Sequence, residues 1–226
     1  MNVCGLKTRL LMDPYPADAV MDRRGRHAKQ CACEGDRTRR HNAMRNRAYK
    51  FAASARARPE LEKPGLLPPS PEQPNANLRR PADIYIPSWK NGTPAALDIA
   101  ITSPQRQDIV AEAARKPDVA AAAYEQCKRT FLDTALVCQR QGFSFIPLVA
   151  EPSGGWGVSA LCTFKALARS ISLISGREAS TELRAHRQAL CVLLRQANAR
   201  AIFSRDPGSR AQTDSQDTAR LALEAP

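Results

Sequence analysis

Two short apolar runs, each with one aspartate near its middle, constrain the fold of this chain more than any other feature. Asp83 lies in ADIYIP and Asp98 lies in ALDIAIT, and the segment between them contains glycine and proline. Runs rich in Ile, Tyr and Thr favour strands, and glycine and proline favour the turn that lets two strands pair. We therefore predict neighbouring antiparallel strands over residues 80–86 and 96–102, with both aspartates on the same side.

The segments around this pair predict an α/β fold, with a small central mixed β-sheet flanked by helices. Helical periodicity is present in 40–58, 158–175 and 179–203, alanine-rich helix-forming sequence fills 103–142, and 143–149 alternates as a third strand. The proline-dense segment 59–81 predicts an extended connector. We expect Pro117 to start a helix that continues to Gly142.

These patterns predict three parts of the chain. Residues 1–42 form a loop-rich, basic N-terminal segment, residues 43–205 form the folded domain, and residues 206–226 form a polar, disordered tail. The apolar face of the last helix (Leu183, Leu190, Leu194, Ala197 and Ala201) is expected to pack in the core, with a coil formed with another chain as the alternative, whereas His186 is expected at the surface. The GGWG segment lacks the lysine of a phosphate-binding loop and predicts a turn.

The positive charge of the chain is concentrated near its N-terminus. The whole sequence has 34 basic and 22 acidic residues, a net charge of +12. Residues 1–80 hold 17 Lys/Arg and 8 Asp/Glu (17 − 8 = +9), and the remainder holds 17 and 14, which leaves +3. Such an excess suits a polyanionic partner, most simply nucleic acid, although a solvated basic surface with no such partner explains the charge equally well.

The seven cysteines predict a reducing environment. Their number is odd, they are scattered through helical and loop segments, and no apolar signal-peptide core or run of 18 apolar residues accompanies them. We expect an intracellular protein with free or metal-bound thiols and no membrane partner.

The two strand-borne aspartates predict a divalent-cation site. Burying an unpaired carboxylate is costly, and Mg²⁺ prefers a few carboxylates together with water and phosphate oxygens. A cation held in this way activates water and stabilises the charge that develops on a phosphodiester. The alternative is that one aspartate caps a strand or faces solvent, because aspartate is common at strand ends and turns.

Four sequence blocks, in this order and spacing, resemble a known family. They are GRHAKQC with RHNAMR, EKPGLL, RRPADIYIPSWKNGTPAALDIAITSP and CQRQGFSFIPLVAEPSGGWG, and the resemblance covers roughly residues 20–205. They resemble the PD-(D/E)XK, or restriction-endonuclease-like, nucleases, and in particular the endonuclease-like region that follows reverse transcriptases in some eukaryotic retroelements. The resemblance implies a nuclear protein that cleaves DNA with Mg²⁺ or Mn²⁺.

The resemblance also implies roles for individual residues. Asp83 is the aspartate of the PD half-motif, Asp98 stands at the (D/E) position, and the carbonyl of Ile99 adds a ligand. Glu62 corresponds to an optional acidic residue at the outer edge of the centre.

The motif lysine is absent from its usual place, because Ala100 stands two residues after Asp98. In related proteins with this gap the lysine comes from the following helix. Lys128 is then the first candidate and Lys116 the second. If neither lysine reaches the aspartates, the domain is a degenerate nuclease that binds nucleic acid without cutting it.

A second metal site is predicted in the N-terminal segment. His27, Cys31, Cys33 and His41 follow the pattern H-x3-C-x-C-x7-H, and Cys4 lies upstream. Imidazole and thiolate ligands suit tetrahedral Zn²⁺, and a full set would be Cys4, His27, Cys31 or Cys33, and His41. The alternative is a broken zinc knuckle that holds no metal.

Overall fold

The computed structural model describes residues 35–67 and 82–203. The helices and strands, in chain order, are α1 (Asp36–Ser54), β1 (Glu60–Leu61), β2 (Ile84–Ile86), β3 (Ala95–Ile101), α2 (Val110–Ala113), α3 (Val119–Thr130), α4 (Thr134–Arg140), β4 (Ser144–Ala150), α5 (Val158–Ser175) and α6 (Ala179–Phe203). The predicted N-terminal segment lies outside the described residues up to position 34, and the predicted tail lies outside them entirely.

The four strands form one mixed sheet in the order β1-β2-β3-β4. The first three strands are antiparallel neighbours, and β4 runs parallel to β3 with Ala95 opposite Ser144 and Ile101 opposite Ala150. The helical segment between β3 and β4 makes the crossover that parallel strands require. The predicted fold class, a small mixed sheet flanked by helices, is confirmed, as are the antiparallel pair and the third strand beside it.

One face of the sheet carries the main hydrophobic core. Alternate residues of the strands point toward α1, α5 and α6, because side chains of a strand alternate between its two faces. The fully buried members of this core include Met44, Ile84, Leu97, Leu148, Phe164, Leu190 and Leu194. The predicted packing of the leucine face of α6 is therefore confirmed.

The other face of the sheet is covered by α3 and α4, which pack on different parts of it. Ala121 and Tyr124 of α3 contact Ala100 and Val149, whereas Cys138 of α4 belongs to a cluster with Ala96 and Phe145. Between the two helices Leu132 and Asp133 adopt left-handed backbone angles, with φ of 48° and 50°. The single helix predicted up to Gly142 is therefore wrong: the chain breaks so that each helix covers its own part of the sheet.

Helix α1 begins earlier than predicted, at Asp36, so residues 36–42 belong to a helix and not to a loop-rich segment. Its buried side, formed by Met44, Ala48 and Phe51, packs in the core. Arg40 is also buried, and its guanidinium donates to Asn198 Oδ1 of α6 at 2.9 Å. These contacts fix the position of α1 beside the sheet.

His186 is buried, which corrects the prediction of a surface histidine. Its ring stacks on Phe51 with a centroid distance of 3.8 Å and meets the edge of Phe164 at 4.7 Å. The residue lies one turn before Leu190 on α6 and so continues the buried stripe of that helix. Burial lowers its pKa to about 3, and the nearby charge of Arg47 adds to the effect, so the imidazole is neutral in the folded protein.

Among the described helices, α5 is long and apolar enough to cross a membrane by length and composition, with a mean hydropathy of 1.3. Its side chains Phe164, Leu167 and Ile171 are buried in the main core. A core helix of a folded domain passes the same test of length and composition.

Candidate functional site

Asp83 lies directly beside Asp98, because Asp83 forms hydrogen bonds with Leu97 and Ile99, the two chain neighbours of Asp98. The Asp83 amide donates to the carbonyl of Leu97 at 2.9 Å, and its carboxylate accepts the amide of Ile99 at 2.7 Å. The strand β2 starts only at Ile84, after a bend at Asp83, so beyond that point β3 has no strand to bond on this side. The carboxylate of Asp83 accepts the hydrogen bond that a longer β2 strand would otherwise accept from the Ile99 amide.

The two carboxylates consequently have different orientations. Asp98 shares the parity of Ala96 and Ala100, so it stands on the face covered by α3 and α4. The carboxylate of Asp83 instead reaches in the plane of the sheet toward the backbone of Ile99. The backbone bends at Asp83 itself, one residue before β2 begins. Both residues are deeply buried, with 3% and 1% of their surface exposed.

Lys128 supplies a cation to this centre. It lies in the last turn of α3, and its Nζ is 2.9 Å from Asp98 Oδ2. Its side chain is 14% exposed, so the ammonium stands between the buried carboxylate and solvent. Lys116, the second candidate, lies exposed in the turn before α3. Of the two lysines considered from the sequence, Lys128 is the one that contacts an aspartate of the predicted pair.

His41 reaches the centre from α1. Its Nε2 lies 3.1 Å from Asp83 Oδ2 and 3.1 Å from the carbonyl oxygen of Ile99. Both neighbours are acceptors, so Nε2 donates to them in the tautomer that carries the proton on Nε2, whereas in the other tautomer Nε2 carries a lone pair that can bind a cation. The sequence associated His41 with a zinc site, whose other members, Cys4, His27, Cys31 and Cys33, lie outside the described residues.

Arg45 lies one turn after His41 on α1 and extends the same face of the helix. Its guanidinium forms an ion pair with Glu62, which follows β1 and is 43% exposed. The amide of Glu62 donates to the carbonyl of Asp83 at 2.9 Å. Glu62 therefore stands at the rim of the centre, next to Asp83 along the sheet.

A second group of side chains lies on the Asp98 side, around Tyr124 of α3. The Lys128 ammonium and the Arg106 guanidinium lie 5.9 Å and 5.7 Å from the centre of the Tyr124 ring. Arg106 also donates to Thr102 Oγ1 at 3.3 Å. Burial raises the pKa of the Tyr124 phenol, and although the Lys128 ammonium opposes this effect, Tyr124 remains a protonated phenol at neutral pH.

The donors present at the centre fit a divalent cation that accepts few protein ligands. Asp83, Asp98 and the carbonyl of Ile99 supply oxygen atoms, and hard divalent ions with several bound waters need one or two carboxylates. Within residues 35–67 and 82–203 there is no group of three or more His, Cys, Asp and Glu side chains placed to hold one ion. An ion held by the two aspartates would therefore need the backbone carbonyl and other ligands, such as water or substrate, to complete its shell.

Sequence reasoning missed three residues of this site, namely Arg45, Arg106 and Tyr124. The signal for two of them was helical spacing: Arg45 is four residues from His41, and Tyr124 is four residues from Lys128. Arg106 lies in an irregular segment after β3, and no periodic pattern marks its position.

The sequence matches no protein-family model and no curated protein.

Proposed function

We propose that this chain is a metal-dependent endonuclease that cleaves DNA phosphodiester bonds and that derives from a retroelement of the family its sequence resembles. The observation that supports this most strongly is the ion pair of Lys128 with Asp98, immediately beside Asp83. The motif lysine is missing at position 100, and Lys128 of α3, the second helix after β3, contacts the carboxylate instead.

The chemistry of the centre suits the hydrolysis of a phosphodiester. A divalent cation, when bound to Asp83, Asp98 and the carbonyl of Ile99, would supply an activated water and stabilise negative charge on the phosphate. Lys128 holds an ammonium at the solvent-facing side of Asp98, where it can neutralise the attacked phosphate. Arg106, whose guanidinium forms an ion pair with the exposed Asp108, adds a second cationic side chain near Tyr124, on the same side of the sheet.

The charge of helix α1 is evidence for a polyanionic substrate. Its sequence, DRTRRHNAMRNRAYKFAAS, carries six Lys/Arg residues against the single Asp36. Because His41 of this helix touches Asp83, the helix stands next to the centre, although Arg40 is buried, Arg39 pairs with Asp36 and Arg45 pairs with Glu62. Phosphate contacts by Lys and Arg supply most of the sequence-independent affinity for DNA.

Nicking of supercoiled plasmid by the purified full chain, in a Mg²⁺ and a Mn²⁺ series, tests this proposal. We expect nicking by the wild type, loss of nicking in Asp83→Asn and in Asp98→Asn, and retained DNA binding by both variants in a gel-shift assay. Lys128→Ala is expected to slow nicking about 10²–10³-fold, the typical effect of one well-placed electrostatic group. Lys116→Ala is the matched control, because that lysine is exposed and lies outside the centre.

Equal background nicking by the wild type and by Asp98→Asn would exclude the enzyme. A nucleic-acid-binding remnant with a dead centre is the second candidate, and the absence of the motif lysine at position 100 favours it. In that case the wild type and both aspartate variants would bind DNA equally and none would cleave it. A nuclear location remains a proposal that follows from the same resemblance. A zinc knuckle in the N-terminal segment remains one too, but it would need a fourth ligand other than the Nε2 of His41, which lies 3.1 Å from Asp83 Oδ2.

A further inference from the structure

We propose that His41 is a direct ligand of the divalent ion, so that the centre selects a transition-metal ion such as Mn²⁺ over Mg²⁺. The inference rests on the cation centre of the proposed function, but it adds a nitrogen ligand from a different element, α1. It also names the class of ion that the centre prefers.

The positions of three donor atoms carry the inference. The Nε2 of His41 is 3.1 Å from Asp83 Oδ2 and 3.1 Å from the carbonyl oxygen of Ile99. An octahedral ion with bonds of about 2.1 Å places neighbouring ligands about 3.0 Å apart. The two distances at His41 therefore match the spacing of adjacent ligands around one ion.

The surroundings hold these donors in place. The carboxylate of Asp83 is oriented by the amide of Ile99 at 2.7 Å, and α1 is fixed by the bond of Arg40 to Asn198. The other ring nitrogen, Nδ1, lies 3.4 Å from Asn42 Oδ1. Ligating histidines commonly place their second nitrogen beside an oxygen in this way, which keeps the proton on that nitrogen and leaves Nε2 for the metal.

The imidazole decides which ion is preferred. Mg²⁺ favours oxygen ligands and retains its water, whereas first-row transition ions bind nitrogen ligands more strongly, with Mn²⁺ the weakest member of that series. A centre with only carboxylate and carbonyl oxygens has no nitrogen ligand, so the effect of His41 on Mn²⁺ affinity is what the proposal adds. The alternative role for His41 is a structural one, in which its N–H only holds Asp83 and the Ile99 carbonyl together.

The substitution His41→Gln separates these two roles, because the glutamine amide can still donate a hydrogen bond but is a poor substitute for an imidazole ligand. Isothermal titration with MnCl₂ and with MgCl₂, on full chain freed of metal by EDTA and dialysis, measures both affinities directly. We expect the wild type to bind Mn²⁺ about tenfold or more tightly than Mg²⁺. His41→Gln should weaken Mn²⁺ binding about tenfold or more while changing Mg²⁺ binding much less.

Two further variants complete the comparison. Asp83→Asn should weaken the binding of both ions, and Lys50→Ala, an exposed substitution on the same helix, should change neither. Thermal unfolding without divalent ions identifies any variant that fails to fold, and His41→Asn then replaces His41→Gln. Unchanged Mn²⁺ binding in a folded His41 variant would overturn the inference, as would equal affinity of the wild type for the two ions.

These outcomes are separate from those of the nicking assay. Selective Mn²⁺ binding that is lost in His41→Gln, without any DNA cleavage by the wild type, would support the ligand role and refute the nuclease. Cleavage that depends on Asp83 and Asp98, together with Mn²⁺ binding unaffected by His41→Gln, would support the nuclease and refute the ligand role of His41.

Discussion

Lys128 and Asp98 form an ion pair between α3 and the sheet, with Nζ 2.9 Å from Oδ2. Asp98 is almost fully buried, whereas the lysine retains partial contact with solvent. The pair joins the end of α3 to the strand β3, and it also holds the cation of the centre against a carboxylate. Substitution of Asp98 and substitution of Lys128 should therefore lower the free energy of unfolding by different amounts.

The first prediction concerns this difference in stability. Lys128→Met leaves a buried carboxylate without its cation and should cost about 3–5 kcal/mol of the free energy of unfolding. Asp98→Asn should cost less, about 1–3 kcal/mol, because the partly exposed ammonium of Lys128 can turn to water. Urea unfolding at pH 7.5 without divalent ions measures both, and Lys116→Met is the control, expected within about 0.5 kcal/mol of wild type. A larger loss in Asp98→Asn than in Lys128→Met would contradict the assignment of the buried partner.

The second prediction concerns the acidic residues of the centre. Asp83→Asn should abolish plasmid nicking, because the carboxylate is buried beside Asp98 and His41. Glu62→Gln should retain most of it, because Glu62 is at the exposed rim and pairs with Arg45. The same Glu62 variant should lose no more than about 1 kcal/mol of stability, the usual limit for an exposed pair. Complete loss of nicking in Glu62→Gln would show that this carboxylate belongs to the centre itself.

The third prediction concerns pH and His186. Its pKa is about 3 in the folded protein and near 6.5 in the unfolded chain, so the unfolded state binds the extra proton between these values. The contribution of His186 to the free energy of unfolding is fully present above pH 6.5. Below pH 6.5 this contribution falls by about 1.4 kcal/mol for each pH unit, until the pH reaches the pKa of the folded state. His186→Phe keeps an aromatic ring against Phe51 and removes the proton. Urea unfolding between pH 7.5 and 4.5 should give a flatter acid slope for the variant, and parallel curves would refute the neutral, buried imidazole.

The fourth prediction concerns Gly157 at the start of α5. Glu125 accepts hydrogen bonds from the amide and the hydroxyl of Ser159 at this end of the helix, at 3.1 Å and 2.8 Å. A Cβ at position 157 would lie 2.0 Å from Glu125 Oε1, so Gly157→Ala must displace the carboxylate. We expect a loss of about 1–3 kcal/mol on unfolding in urea, from the unsatisfied polar groups at the helix end.

A double variant is the control for this prediction. Glu125→Ala alone should cost a similar amount, because it removes the same hydrogen bonds from Ser159. Once Glu125 is gone, adding Gly157→Ala should cost little more, since its backbone angles, φ −63° and ψ 156°, are open to any residue. Additive losses would show that the alanine clashes with something other than the carboxylate.

The sequence by itself determined the elements whose signals are local. The helices over 158–175 and 179–203 lie where predicted, and the first of them ends at Gly176, whose left-handed φ of 73° favours glycine. The strands around Asp83 and Asp98 were predictable from β-branched residues and a turn between them. The choice of Lys128 came from the resemblance, and the structure brings that lysine to Asp98.

Only the tertiary structure decided the orientation of the carboxylates and the burial of the histidines. The strand β2 begins at Ile84, one residue after Asp83, so the Ile99 amide has no β2 carbonyl to donate to and donates to the Asp83 carboxylate. No local sequence pattern indicates this contact. His41 meets Asp83 because α1 is fixed against α6, a contact between segments far apart in the chain. His186 is buried because α6 packs on α1 and α5. Propensity and spacing act over a few residues, whereas these positions depend on which distant side chains exclude water together.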